Sequence, residues 1–193
     1  SATLQGATFS DNFDSARDYM KDGVAGTGWD GFLGLGAGET VTALTTAEAA
    51  HAGQLYIASG NNGRWQEAWS PLPPFLYKIV QGDFVATVKV TDYAGTAAAS
   101  VMYNNAALMV RAAVADAGTG EDWVSLDYFP LYNCGNFVRS ANNNARTENG
   151  NNGRGWNLDP WLQIERIGNV FHFRTSTDGV TWTAMSWNPQ TLN

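Results

Sequence analysis

The chain contains two histidines, His51 and His172. His172 lies in the run Val170–Ser176 (VFHFRTS), where Phe171 and Phe173 alternate with it. That spacing predicts a strand with His172 on the same face as Val170 and Arg174. The run before it, Trp161–Ile167 (WLQIERI), points Leu162 and Ile164 one way and Gln163 and Glu165 the other. A histidine beside a carboxylate is equipment for proton transfer, so His172 could serve as a base, a tyrosine as an acid and Glu165 as their neighbour. Asp127 is a further candidate: Glu121-Asp122 followed by Asp127 is the nearest the chain comes to a catalytic carboxylate cluster, although its spacing is wrong for a paired-carboxylate motif. His172, Glu165 and Asp127 are therefore the residues an enzymatic reading would use. A solvent-facing histidine without chemistry is the plainer alternative.

The aromatic residues suggest a different use. Eight tryptophans and seven tyrosines exceed what a core of this size requires. Such rings stack on the apolar faces of pyranose sugars, and their polar tips suit a wet interface. Trp29 and Trp156 lie in Gly- and Asn-rich segments, Trp65 and Trp69 flank a short run, and Trp123 leads a strand that also holds Tyr128. Trp161 and Trp182 are better placed for a core. Arg111 interrupts the apolar run Ala106–Val114, so its charge must reach water, a carboxylate or a ligand. With Arg139 it could grip a sugar hydroxyl, or a uronate or sulfate if several arginines converge. The ligand-binding candidates are thus Trp29, Trp65, Arg111, Trp123, Arg139 and Trp156. Near the start, Asp11, Asp14 and Asp18 offer oxygen ligands close together, of the type calcium takes. Their spacing is not that of an EF-hand.

These residues need strands to carry them, and the sequence provides many. Gly82–Asp92, Ala106–Val114 and Asp122–Phe129 alternate in the strand period, the last with Trp123, Ser125 and Asp127 on one face. Trp161–Met185 reads as a three-strand meander with turns at Gly168-Asn169 and Asp178-Gly179, the two-residue type that hairpins favour. Thr8–Phe13, Gln54–Ala58, Arg64–Trp69 and Phe75–Val80 are further strands, the last two flanking a proline turn. Thr45–Ala52 has capping-box spacing and a following glycine, which predicts a short helix. Gly23–Gly38 and Ala141–Asn157 read as long loops. The expectation is one all-β domain over residues 1–193, an antiparallel two-sheet β-sandwich with an outer face free for a ligand.

Composition narrows the partners. Charged residues are 15 % of the chain, net charge is −7, and Lys21, Lys78 and Lys89 are the only lysines. No basic face for nucleic acid is expected. No apolar run approaches the roughly 20 residues of a membrane-spanning helix. The single Cys134 excludes an internal disulfide. Ser1-Ala2-Thr3 reads as the start of a processed chain, and an extracellular or periplasmic setting is the expectation.

Certain segments also resemble a known group. Phe9-Ser10-Asp11-Asn12-Phe13-Asp14, Ala107–Arg111 and above all Trp161–Arg166, Gly168-Asn169 and Phe171–Trp182 are similar to concanavalin A-like lectin/glucanase sandwich domains. Within that superfamily they resemble the DUF1349-type and xylosidase C-terminal domains. The resemblance implies a jelly roll, carbohydrate as the ligand and a structural calcium near the N-terminal segment, with Asp11 and Asp14 as its ligands. The E-x-D-x-x-E strand of the superfamily's retaining glucanases is absent, as is the Gln-x-His pattern of its alginate lyases. The carboxylate pair that ordinary glycoside hydrolysis needs is therefore not visible. A carbohydrate-binding module of a polysaccharide-degrading system is the leading expectation. A glycoside hydrolase or polysaccharide lyase on the same fold is the second, and a structural or adhesive domain the third.

Overall fold

Alternation of apolar and polar residues decides the architecture of residues 81–193. A computed structural model describes residues 8–33, 41–48, 50–59, 74–93, 105–112, 122–129, 135–142, 145–149 and 158–192. The chain gathers into two compact units, residues 5–80 and residues 81–193.

The first unit holds β1 (Arg17–Asp18), α1 (Tyr19–Asp22), β2 (Gly31–Leu33), β3 (Val41–Glu48), β4 (His51–Ser59) and β5 (Phe75–Tyr77). Strands β1, β3 and β4 form one antiparallel sheet, and β2 pairs with β5. Asp18 starts α1 by accepting the backbone N–H groups of Met20 and Lys21 at Oδ1. Gly23, at φ +63°, ends it and returns its N–H to the Tyr19 carbonyl. Tyr19 and Leu44 are the buried centre, with Val24, Trp29, Phe32, Leu55 and Leu76 around them.

The helix expected over Thr45–Ala52 does not form. Its residues belong to the β3–β4 hairpin, paired from Val41↔Ser59 to Glu48↔His51. Val41, Thr42, Thr45 and Thr46 are β-branched and favour a pleated strand, which outweighs the capping-box spacing. Residues 8–16, read partly as a strand, have no regular structure.

The second unit holds β6 (Phe84–Lys89), β7 (Ala106–Arg111), β8 (Trp123–Phe129), β9 (Gly135–Asn142), β10 (Ala145–Asn149), β11 (Trp161–Ile167), β12 (Val170–Ser176), β13 (Thr183–Ala184) and β14 (Gln190–Thr191). One antiparallel sheet runs β10-β9-β8-β7, the other β13-β12-β11-β6 with β14 also on β12. Val124, Leu126 and Val138 of the first sheet share a buried core with Leu162, Ile164, Phe171 and Phe173 of the second. Met185 and Leu192 complete it. Each such side chain gives about 1.5–3 kcal/mol on burial, before conformational entropy is subtracted. The protein is all-β in its described residues apart from α1, and this unit is sandwich-like.

Two strands differ from the expected pattern. Ala141–Asn157, read as a loop, contributes β10, which pairs with β9 from Ala145↔Asn142 to Asn149↔Val138. The third strand of the meander shrinks to Thr183–Ala184. The turn before it is longer than two residues, because Asp178 Oδ1 accepts the N–H groups of both Val180 and Thr181.

A buried polar cluster links the two sheets. Asn136 of β9 accepts the Asp159 N–H at Oδ1 (2.8 Å) and donates to the Asp159 carbonyl (3.1 Å). Thr175 of β12 donates from Oγ1 to Asp159 Oδ2 at 2.7 Å. Asn136, Asp159 and Thr175 are at most 1 % exposed, so these bonds satisfy groups that water does not reach.

Candidate functional site

Because Val124, Leu126 and Val138 turn toward the core, their alternates turn toward the other side of the same sheet. That outer face carries Trp123, Ser125, Asp127 and Phe129 from β8. Opposite them in register stand Ala141, Arg139, Phe137 and Gly135 of β9. On the other flank, β7 sets Arg111 opposite Trp123, Met109 opposite Ser125 and Ala107 opposite Asp127. Three of the expected ligand residues, Arg111, Trp123 and Arg139, and the catalytic candidate Asp127 thus share one face.

An ion pair is the centre of this face. Arg139 donates from Nε to Asp127 Oδ2 at 2.8 Å and from Nη2 to Oδ1 at 2.6 Å. Ser125 Oγ donates to Oδ2 at 2.8 Å, and Asn105 Nδ2 donates to Oδ1. The Asp127 side chain is fully buried and that of Arg139 is 11 % exposed. Both carboxylate oxygens therefore have charged or polar donors, the condition under which a buried charge is tolerated. The Arg139 guanidinium carbon lies 5.9 Å from the Trp123 ring centroid and 5.7 Å from that of Phe129. Phe137 meets Phe129 edge-on at 5.1 Å. Trp123 is 1 % exposed, whereas Arg111, Met109, Phe137 and Arg139 are partly open. The face thus has a buried floor and a half-open rim, with the guanidinium lying over the floor.

The other expected catalytic residues lie elsewhere. His172 and Glu165 stand opposite each other on β12 and β11, on the outer side of the second sheet. Arg174 donates to Glu165 Oε2 at 2.6 Å and to Gln163 Oε1 at 3.1 Å, and Gln163 in turn donates to Thr87 Oγ1. This is a half-exposed polar ladder across three strands. The core separates it from Asp127, so the three catalytic candidates do not make one site. Tyr128 also turns away from the ligand face and packs on the core, where burial raises its phenol above the ordinary range and Asp92 adds to the rise.

Trp29 lies in the first unit. Its indole N–H donates to Asp11 Oδ2 at 2.8 Å. Phe9 meets its ring edge-on at 5.0 Å, and Phe13 lies parallel at 6.2 Å. The ring thus anchors the N-terminal segment to the small core.

The same contacts bear on calcium. Asp11 Oδ1 accepts the Phe13 N–H, Asp14 Oδ2 accepts from Asn12, and Asp18 caps α1. Among the described residues no group of three or more His, Cys, Asp or Glu side chains is placed to hold a metal.

Trp65 and Trp156 lie outside the described residues, as do Trp69, Glu121, Tyr132 and Cys134. Ser125, Asn105, Phe129 and Phe137 belong to the face without being candidates on sequence grounds. Phe137 and Arg139 could be paired with Asp127 from sequence only if Gly135–Asn142, which alternates in the strand period, is taken as a strand. Asn105 carries no comparable signal.

No match is found to models of known protein families, to curated proteins or to solved structures. Function is therefore inferred from the fold and from the chemistry of this face.

Proposed function

We propose that this protein is a carbohydrate-binding module. In this reading residues 81–193 form a concanavalin A-like jelly roll, and the outer face of the β7–β10 sheet meets a polysaccharide or oligosaccharide. The observation that carries the reading is the bidentate Arg139–Asp127 pair set between aromatic rings on the side of the sheet away from the core. Sugar hydroxyls need directional donors and acceptors, and sugar C–H faces need flat apolar surface. Arg139, Arg111 and Phe137 on the rim supply both, while Trp123 and Phe129 hold the guanidinium in place from beneath.

Binding is favoured over catalysis by the state of Asp127. Both its oxygens accept from Arg139, and Ser125 and Asn105 take further lone pairs. A carboxylate so committed is a poor proton donor or acceptor for a substrate. The module would belong to an extracellular or periplasmic polysaccharide-degrading system.

Affinity electrophoresis of the full chain through gels containing soluble polysaccharides tests this. At least one polymer should retard the protein. Arg111→Ala and Phe137→Ala, checked for unchanged circular dichroism, should weaken that retardation by about tenfold. A protein that no member of a broad panel retards is not a carbohydrate-binding module.

A further inference from the structure

The Arg139–Asp127 pair also selects among sugars, an inference that rests on the carbohydrate reading. We infer that this face takes neutral glycans and rejects uronates and sulfated sugars. A guanidinium that recognises a ligand carboxylate does so with its two parallel N–H donors and its net charge. Here Nε and Nη2 are already engaged by Asp127 in that bidentate geometry, at 2.8 and 2.6 Å. The charge is cancelled within the protein by a carboxylate that is itself fully buried. An acidic sugar reaching Arg139 would bring a second anion within a few ångströms of Asp127. In a poorly solvated site that repulsion is strong, because little water is present to screen it.

Among the described side chains the rest of the face adds one cation. Arg111 stands at one corner, opposite Trp123. The chain as a whole carries −7, a balance that disfavours association with polyanions. A neutral sugar meets none of these costs. Its hydroxyls can accept from a guanidinium without bringing charge toward Asp127, and its C–H faces can lie on Phe137.

Polymers that share a backbone and differ only in charge make the test. Hydroxyethylcellulose is set against carboxymethylcellulose, linear β-mannan against polymannuronate, and methyl-esterified polygalacturonate against its de-esterified form. The full chain is run through gels of each. The inference expects retardation by a neutral member at least about tenfold stronger than by its acidic partner. It also expects that retardation to hold as salt rises from about 0.05 to about 0.5 M, since no ion pair with the ligand is there to be screened. Stronger retention by the acidic partner, lost in salt, would overturn the inference and leave the carbohydrate reading standing. Retention by neither class would remove the carbohydrate reading and the inference together. Asp127→Asn, if it keeps the native circular dichroism spectrum, should gain affinity for the acidic polymer. A folded Asp127→Asn protein that still discriminates as the parent does would also overturn the inference. If that variant does not fold, the comparison of matched polymers decides alone.

Discussion

Replacing Arg139 by Met keeps much of the side chain's length and apolar stem but removes the charge that Asp127 faces. The structure gives the size of the effect. Two charge-assisted hydrogen bonds are lost, at 2.8 and 2.6 Å, and the carboxylate left behind is fully buried. Ser125 and Asn105 still donate to it, but neither carries charge. Removing one partner of such a buried pair costs about 3–5 kcal/mol, because the remaining ion is uncompensated. The contacts with Trp123 and Phe129 add about 0.5–2 kcal/mol more. Against a total stability of about 5–15 kcal/mol, this is a large fraction. Urea denaturation followed by tryptophan fluorescence reads the loss as a lower midpoint, and Trp123 beneath the guanidinium should shift its emission. Asp127→Leu should cost a similar amount. The double variant Asp127→Leu/Arg139→Met should cost clearly less than the two single losses added, since it leaves no orphaned charge. A loss under about 1 kcal/mol for Arg139→Met, or strict additivity in the cycle, would refute the argument that the pair is a buried, mutually dependent unit.

Thr175→Val keeps shape but deletes the hydroxyl that donates to buried Asp159, and should lower stability by about 1.5–3 kcal/mol in the same denaturation assay. Asp178 accepts the N–H groups of Thr181 and Val180 and the Ser176 hydroxyl, which together hold its carboxyl far below the usual range. Its contribution is thus fully present above the unfolded value of about 3.9 and is lost progressively as pH falls from there through the much lower folded value. Asp178→Asn should therefore flatten the fall of Tm between about pH 4 and pH 2. Gly179→Ala places a Cβ 2.8 Å from Trp161 Cε2 at φ +77°, whereas Gly168→Ala, at φ +63°, meets nothing within 4 Å. Both should lose about 1–2 kcal/mol to backbone strain, and Gly179→Ala should lose measurably more by thermal denaturation.

The strands legible in the sequence are those whose alternation is clean and whose ends carry turn residues. Trp161–Ile167 and Val170–Ser176 match the expectation residue for residue, because Leu162, Ile164, Phe171 and Phe173 all serve one core. Gly135–Asn142 is less legible: its core-facing positions hold Asn136 and Ser140 as well as Val138, so the apolar period is broken by the polar cluster it carries. Thr45–Ala52 misleads because a local capping signal competes with a long-range strand pairing that no single segment encodes. The site divides in the same way. The face holding Trp123, Ser125 and Asp127 follows from the period of one strand. The pairing of Asp127 with Arg139 depends on a neighbour's register, which is fixed by the sheet as a whole.

The cluster of Asn136, Asp159 and Thr175 also sets how residues 81–193 come apart. One side chain from each sheet is bonded to the same buried aspartate, so neither sheet can peel away without exposing an unsatisfied polar group in the other. Local opening of one layer is thereby coupled to opening of both. The Asp159 amide, bonded to Asn136 at 2.8 Å, should therefore exchange its hydrogen with solvent chiefly when both layers give way. Exchange at that one position reports the cooperative unfolding of the whole unit, while the β13 and β14 edges can fray independently of it.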